Sequence, residues 1–251
     1  MNDTEANVAS TMKVREHQEL LQQPIRLDDP LFWNDLLLDV ASMEQTPYKN
    51  PAYREQFILR DKALISFFIL TGLRVNEALA IRMNQIVETK NFVKVLRVKT
   101  EKFNFVREEI LMPQKGKLAP FTAIFEQWFQ IVKTEGEKWK QGVYVFPRAV
   151  SGIKRHRFYN VDPDQRIEAF YWNKRLHIGR VEAMIRRCTG NKFPHWYRHV
   201  FETFYGRIIC QRDPWSLAKT MGYRRIESTA SYVKGATPSE EKRLLNLGKA
   251  H

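Results

Sequence analysis

The spacing of apolar residues switches from a helical to a strand period near Phe92 and back again after Pro113, and few architectures accommodate that switch. Before it, Leu31, Trp33, Leu36, Leu37, Val40 and Met43 recur at near-helical spacing. Asp28, Asp29 and Pro30 precede them, and Pro30 suits the first turn of a helix. A second helix is predicted over 53–70, with Phe57, Leu64, Phe67 and Phe68 among its apolar positions and Thr71-Gly72 as its end. A third is predicted over 75–83. Residues 92–98 then read as a short β-rich run, and 103–106 with 110–112 supply its antiparallel partner, ending at Pro113. The helical period returns over 119–134, 166–188, 196–209, 215–221 and 239–247, with a short apolar piece at 143–146 and a loop over 147–164. The prediction is a mainly α chain with a small antiparallel β-sheet, an α+β arrangement. Residues 1–26 are polar and weakly patterned and read as a tail or linker ahead of one domain over 27–251.

Charge is distributed unevenly over the 251 residues. Residues 1–50 carry four Lys/Arg against nine Asp/Glu, whereas 51–251 carry 37 against 19. A basic body of this kind points to a polyanion, most simply nucleic acid, the plain alternative being a solvated surface of high pI. The two cysteines, Cys188 and Cys210, form no CxxC pair and no zinc-like cluster, so no metal is expected and the thiols read as those of a reduced, intracellular protein. The start of the chain has no apolar signal-peptide core, and the longest apolar run is too short for a bilayer, so no membrane partner is expected.

Three blocks carry the chemistry. The first is Leu70-Thr-Gly-Leu-Arg-Val-Asn-Glu77, the second Phe193-Pro-His-Trp-Tyr-Arg-His-Val200, and the third Met221-Gly-Tyr-Arg-Arg-Ile-Glu-Ser-Thr-Ala-Ser-Tyr232. A guanidinium is planar, stays charged and donates two parallel hydrogen bonds, so Arg74 and Arg198 suit the non-bridging oxygens of a phosphodiester. Together they would offset the extra negative charge of a five-coordinate transition state. Arg74 also follows Gly72 at the start of a predicted helix, where free N–H groups favour an anion. His195 lies three residues before Arg198, on one helical face with it, and titrates in the range suited to proton transfer. Tyr232 supplies a phenol able to act as a nucleophile. Singly, each has a plainer explanation: a solvated arginine, a packed histidine, a core tyrosine. The joint pattern is what argues for a site.

The blocks resemble those of the tyrosine recombinase (phage integrase) family, in the same order and over roughly residues 27–247. Thr71-Gly-Leu-Arg74 with Glu77 resembles the family's first box, His195-x-x-Arg198-His199 its second, and Tyr232, nine residues after Tyr223, its third. The resemblance implies that family's catalytic-domain fold and a site-specific recombinase or integrase that breaks and rejoins DNA through a 3′-phosphotyrosine, without cofactor or metal. It assigns catalysis to Arg74, Lys99, His195, Arg198, Tyr223 and Tyr232, with Glu77 and His199 in support. Lys99, at the end of the first long strand, is the expected general acid that protonates the departing 5′-oxygen, and Lys102 is the alternative. The family has His or Trp where this chain has Tyr223; a phenol still donates a hydrogen bond to a phosphate oxygen but cannot be cationic. Lys102, Lys154, Arg155, Arg157, Lys192, Arg224 and Arg225 are expected backbone contacts.

The implied partner is double-stranded DNA. The implied assembly is a homotetramer on two sites, with a monomer as the state away from DNA. The implied location is inside the cell that hosts a chromosome or mobile element. The family's helical clamp domain is not expected within residues 1–26. Two other readings remain open on the residues: relaxation of DNA by a type IB topoisomerase, against which the first box and compact length speak, and a catalytically silent DNA-binding protein, against which the tyrosine speaks.

Overall fold

A computed structural model describes residues 25–48, 53–100, 106–136, 138, 142–149, 170–190, 192–211, 213–221 and 223. The fold is organised around α2 (Arg54–Thr71), which is enclosed from Ala63 to Thr71. A helix apolar on most sides has no face for water and becomes a core element. Its buried polar pair, Arg60 and Asp61, is satisfied locally: Nη2 of Arg60 lies 2.7 Å from Oδ1 of Asp61, and Nη1 donates to the Pro147 carbonyl at 3.1 Å. Preceding it, α1 (Pro30–Ala41) starts where Asp29 accepts from the Leu31 N–H at 2.9 Å, with Pro30 in its first turn. Ile25 and Leu27 are buried beside it, and Trp33 donates to the Leu27 carbonyl at 2.8 Å.

Gly72 ends α2 with φ +58°, in the left-handed region that glycine enters without penalty. The next helix, α3 (Val75–Ala80), is shorter than the predicted 75–83 and gives way to a 3₁₀ turn at Met83–Gln85. A three-stranded antiparallel sheet follows: β1 (Ile86–Glu88), β2 (Phe92–Lys99) and β3 (Val106–Pro113). The first of these was not apparent in the sequence. Lys99 is paired with Val106, and Val98 with Arg107. Side chains of β2 alternate until Arg97, whose φ of +54° is unusual for a residue with a Cβ. There the phase shifts, so that Val98 and Thr100 point inward and Lys99 outward.

α4 (Ala119–Gly136) lies against α2, with Phe67 stacked on Phe125 at a centroid distance of 5.1 Å. The predicted helix over 166–188 is corrected by the structure. Residues Phe170–Arg175 form a strand, β5, paired with β4 (Pro147–Ala149), and α5 begins only at Ile178 and runs to Cys188. Phe170 and Trp172 are buried on one face of β5, with half-buried Tyr171 between them. Two-residue alternation of large aromatics overrides the helical reading. α6 (Pro194–Phe204) then crosses α2, continues as a π-helical turn at Tyr205–Ile209, and is followed by α7 (Pro214–Met221). The seven helices among the described residues and the small sheets agree with the predicted class. No described helix is long and apolar enough to cross a membrane. Of the tail predicted over 1–26, residues 1–24 lie outside the described residues, as does the helix predicted over 239–247, whereas Ile25 is buried in the core.

A Cβ on Gly72 would sit 2.4 Å from Cδ1 of Phe201 on α6. Gly72→Ala therefore combines a disfavoured φ with a clash and is expected to cost at least ~2 kcal/mol by urea unfolding; a loss under ~0.5 kcal/mol would contradict this packing.

Candidate active site

The site forms where the end of α2, the start of α3, the β2–β3 hairpin and α6 meet. Arg74 is the N-cap of α3, and Glu77, one turn on, holds it twice: Oε2 accepts from the Arg74 backbone N–H at 3.0 Å and Oε1 pairs with Nη1 at 3.0 Å. Glu77 is buried whereas Arg74 is partly open, so the carboxylate fixes a guanidinium that still reaches solvent. Arg198 comes from α6 and is buried. Its Nη1 donates to the Gly72 carbonyl at 2.7 Å, joining the second sequence block to the first. Its Nε lies 2.7 Å from Oε1 of Glu202, one turn later, in an ion pair that is not aligned as a hydrogen bond. Burial alone would pull Arg198 down; Glu202, with Tyr223 and Glu77, outweighs it and leaves the guanidinium above its usual value.

Two members of this cluster were missed in the sequence. Arg107, on β3, is 3% exposed. Its Nη2 donates to the Met221 carbonyl at 2.6 Å and lies 3.5 Å from Oε2 of Glu77. Burial, together with Arg198 and Arg74 nearby, lowers it to about 10 despite Glu77. Nothing in the residue pattern marked it. Glu202 did carry a signal, an acid four residues after Arg198 on the inward face of a helix. The cluster thus gathers Arg74, Arg107 and Arg198 around Glu77 and Glu202, an excess of one positive charge in a mostly enclosed space. An anion is the ligand that balances it.

Tyr223 joins the cluster differently from expectation. Its phenol donates to Glu202, and its ring lies under the Arg198 guanidinium at 5.2 Å. Burial, then Glu202, push the phenol up to about 12. His195 is exposed one turn before Arg198, at the rim. His199 is half-buried, and burial, with His195 and Arg207, holds it below the usual histidine value against Glu202. Lys99 is exposed at the hairpin end. Lys192, expected on the DNA backbone, is instead held by buried Asp39 at 2.6 and 2.8 Å and lies over Trp196, so a phosphate would compete with that pair. Tyr232, Lys102, Lys154, Arg155, Arg157, Arg224 and Arg225 lie outside the described residues. No group of metal-ligating side chains occurs among the described residues.

The sequence model of the phage integrase family matches residues 48–237, and the chain belongs to that family. Its fold is that of a tyrosine recombinase catalytic domain. The XerH site-specific recombinase bound to difH in a pre-cleavage complex superposes with a TM-score of 0.50 at 15% identity, over 88% of this chain and 54% of that one. The post-cleavage complex of XerH with palindromic difH gives 0.51 at 16% identity, over 86% and 51%. The XerA recombinase gives 0.50 at 14% identity, over 92% and 66%. This chain therefore spans between 51% and 66% of the length of those proteins. No curated protein matches it in sequence.

Two outcomes follow from the electrostatics. Tyr223→Phe removes the donor to buried Glu202 and is expected to cost ~1–3 kcal/mol of stability by denaturant unfolding; unchanged stability would show that Glu202 does not depend on it. Because His199 is depressed in the folded state, below about pH 6.5 the unfolded chain takes up the proton first, and folding loses stability as pH falls. His199→Gln lacks this term, so the stability difference should move in the variant's favour from about pH 7 to about pH 5. Parallel pH profiles would contradict it.

Proposed function

We propose that the protein is a site-specific DNA recombinase or integrase that cleaves and rejoins DNA through a 3′-phosphotyrosine. The observation that carries this reading is the approach of two distant sequence blocks: Arg198 donates to the carbonyl of Gly72, two residues before Arg74. Two arginines held by buried carboxylates, in a cluster with excess positive charge, suit a phosphodiester. In the proposed reaction Arg74 and Arg198 bind the non-bridging oxygens. Tyr232 Oη attacks phosphorus and passes its proton to the neutral imidazole of His195. The P–O5′ bond breaks as the ammonium of Lys99, with Lys102 as alternative, protonates the departing oxygen. The phosphotyrosine retains the bond energy, and a 5′-hydroxyl from another strand reverses the steps. No hydrolysis or nucleotide is needed.

The duplex is proposed to lie across the basic surface. Lys174, Arg175, Arg180, Arg186 and Arg187 are exposed on β5 and α5 and form no ion pair among the described residues. They are joined in this proposal by Lys154, Arg155, Arg157, Arg224 and Arg225. Phosphate contacts of this kind give affinity and register without reading sequence. The proposed assembly on two duplexes is a homotetramer.

The test is covalent trapping. The full chain is incubated with supercoiled plasmid and with nicked duplexes, denatured, and assayed for DNA attached to protein. The wild type is expected to form an adduct that Tyr232→Phe abolishes while duplex binding is retained. Arg74→Ala is expected to lower adduct formation by about 100-fold or more. An adduct that survives Tyr232→Phe, or no wild-type adduct on any duplex, would overturn the reading.

A further inference from the structure

Arg107 is expensive to keep where it is. The guanidinium is 3% exposed, and its Nε and Nη1 are buried with no hydrogen-bond partner among the described residues. Among the described residues its one close ion pair is with Glu77, at 3.5 Å, and that carboxylate already has Arg74. A buried, half-satisfied charge stabilises a fold less than an apolar side chain of the same size. Its contacts are nevertheless well placed for one purpose. Its backbone pairs with Val98, one rung from the Lys99–Val106 pair, at the end of the hairpin that carries both lysine candidates. Its side chain leaves that hairpin for two fixed points. One is the carboxylate that orients Arg74. The other is the carbonyl of Met221, the last residue of α7, where a cation also offsets the negative end of the helix. Met221 lies two residues before Tyr223 and eleven before Tyr232.

We infer that Arg107 is a positioning residue that seats the hairpin lysine against the leaving oxygen by tying the hairpin to Glu77 and to the end of α7. The inference rests on the recombinase reading above. The shift in strand phase at Arg97 serves the same arrangement, since it turns Val98 and Arg107 inward and leaves Lys99 outward. Without Arg107 the hairpin keeps its ladder but loses its polar anchorage to the rest of the site. The step that suffers is the one that needs the lysine, in which the P–O5′ bond breaks and the 5′-oxygen takes a proton from the ammonium. Attack by Tyr232 needs no proton from the lysine, and without Arg107 the Arg74 guanidinium keeps its own bonds to Glu77 and Arg198 its bond to Gly72.

A change of leaving atom separates these steps. The plasmid-derived duplex that gives the wild-type adduct is synthesised twice, with oxygen or with sulfur bridging phosphorus and C5′ at the cleaved bond. A thiolate leaves without protonation, so cleavage of the sulfur duplex does not need the general acid. Arg107→Met is expected to slow adduct formation about 100-fold on the oxygen duplex, as for a catalytic group displaced by about 1 Å, and only a few-fold on the sulfur duplex. Its thermal unfolding should stay close to wild type, and whatever duplex affinity is lost with the cluster's excess charge should be lost equally on both duplexes. Arg107→Lys, which keeps the charge but reaches one partner at a time, should fall between, and it carries the test if the methionine variant fails to fold. Equal losses on both duplexes would overturn the inference, because Arg107 would then act on the phosphate clamp or on folding. A wild type that forms no adduct on either duplex overturns the recombinase reading instead.

Discussion

The hydrogen bond from Arg198 to the Gly72 carbonyl is the contact on which the site depends. It requires α6 to run close to the end of α2, and that approach is possible only because residue 72 has no Cβ to meet Phe201. The same glycine adopts φ +58°, which ends α2 and turns the chain so that Arg74 caps α3. One residue thus sets a backbone conformation, a helix–helix distance and the meeting of two arginines 124 positions apart in sequence.

Bringing guanidiniums together inside a protein is costly, and two buried carboxylates offset the cost. Glu77 serves Arg74 and Arg107; Glu202 serves Arg198 and is itself served by the Tyr223 phenol. The remaining single positive charge is what a phosphodiester would neutralise. Tyr223 is best understood within this arrangement. Its hydroxyl is committed to Glu202. Its influence on a bound phosphate would therefore pass through Arg198.

Much of this was legible in the chain. Thr71-Gly72 as the end of a long helix, Pro30 as a helix start and the 92–98 strand all follow from local rules, and α2, α1 and β2 bear them out. The meeting of Arg74 and Arg198 was expected from the joint pattern of the blocks, and the support of Glu77 from their resemblance to the family's boxes. What escaped depends on long-range partners. Phe170–Arg175 reads as helix until β4 is known to lie beside it. Lys192 reads as a free cation until Asp39, on α1, is known to hold it. Arg107 reads as a solvated strand residue because its partners, Glu77 and Met221, lie 30 and 114 positions away. Periodicity reports which face of an element is buried, and says nothing of which charge waits behind it.

The most direct measurement of the central claim is a crystal structure of the full chain bound to a nicked duplex. The account predicts one backbone phosphate within hydrogen-bond distance of both the Arg74 and Arg198 guanidiniums, with the Tyr232 hydroxyl about 3 Å from its phosphorus. A duplex bound along α5 with no phosphate at the arginine cluster would contradict it.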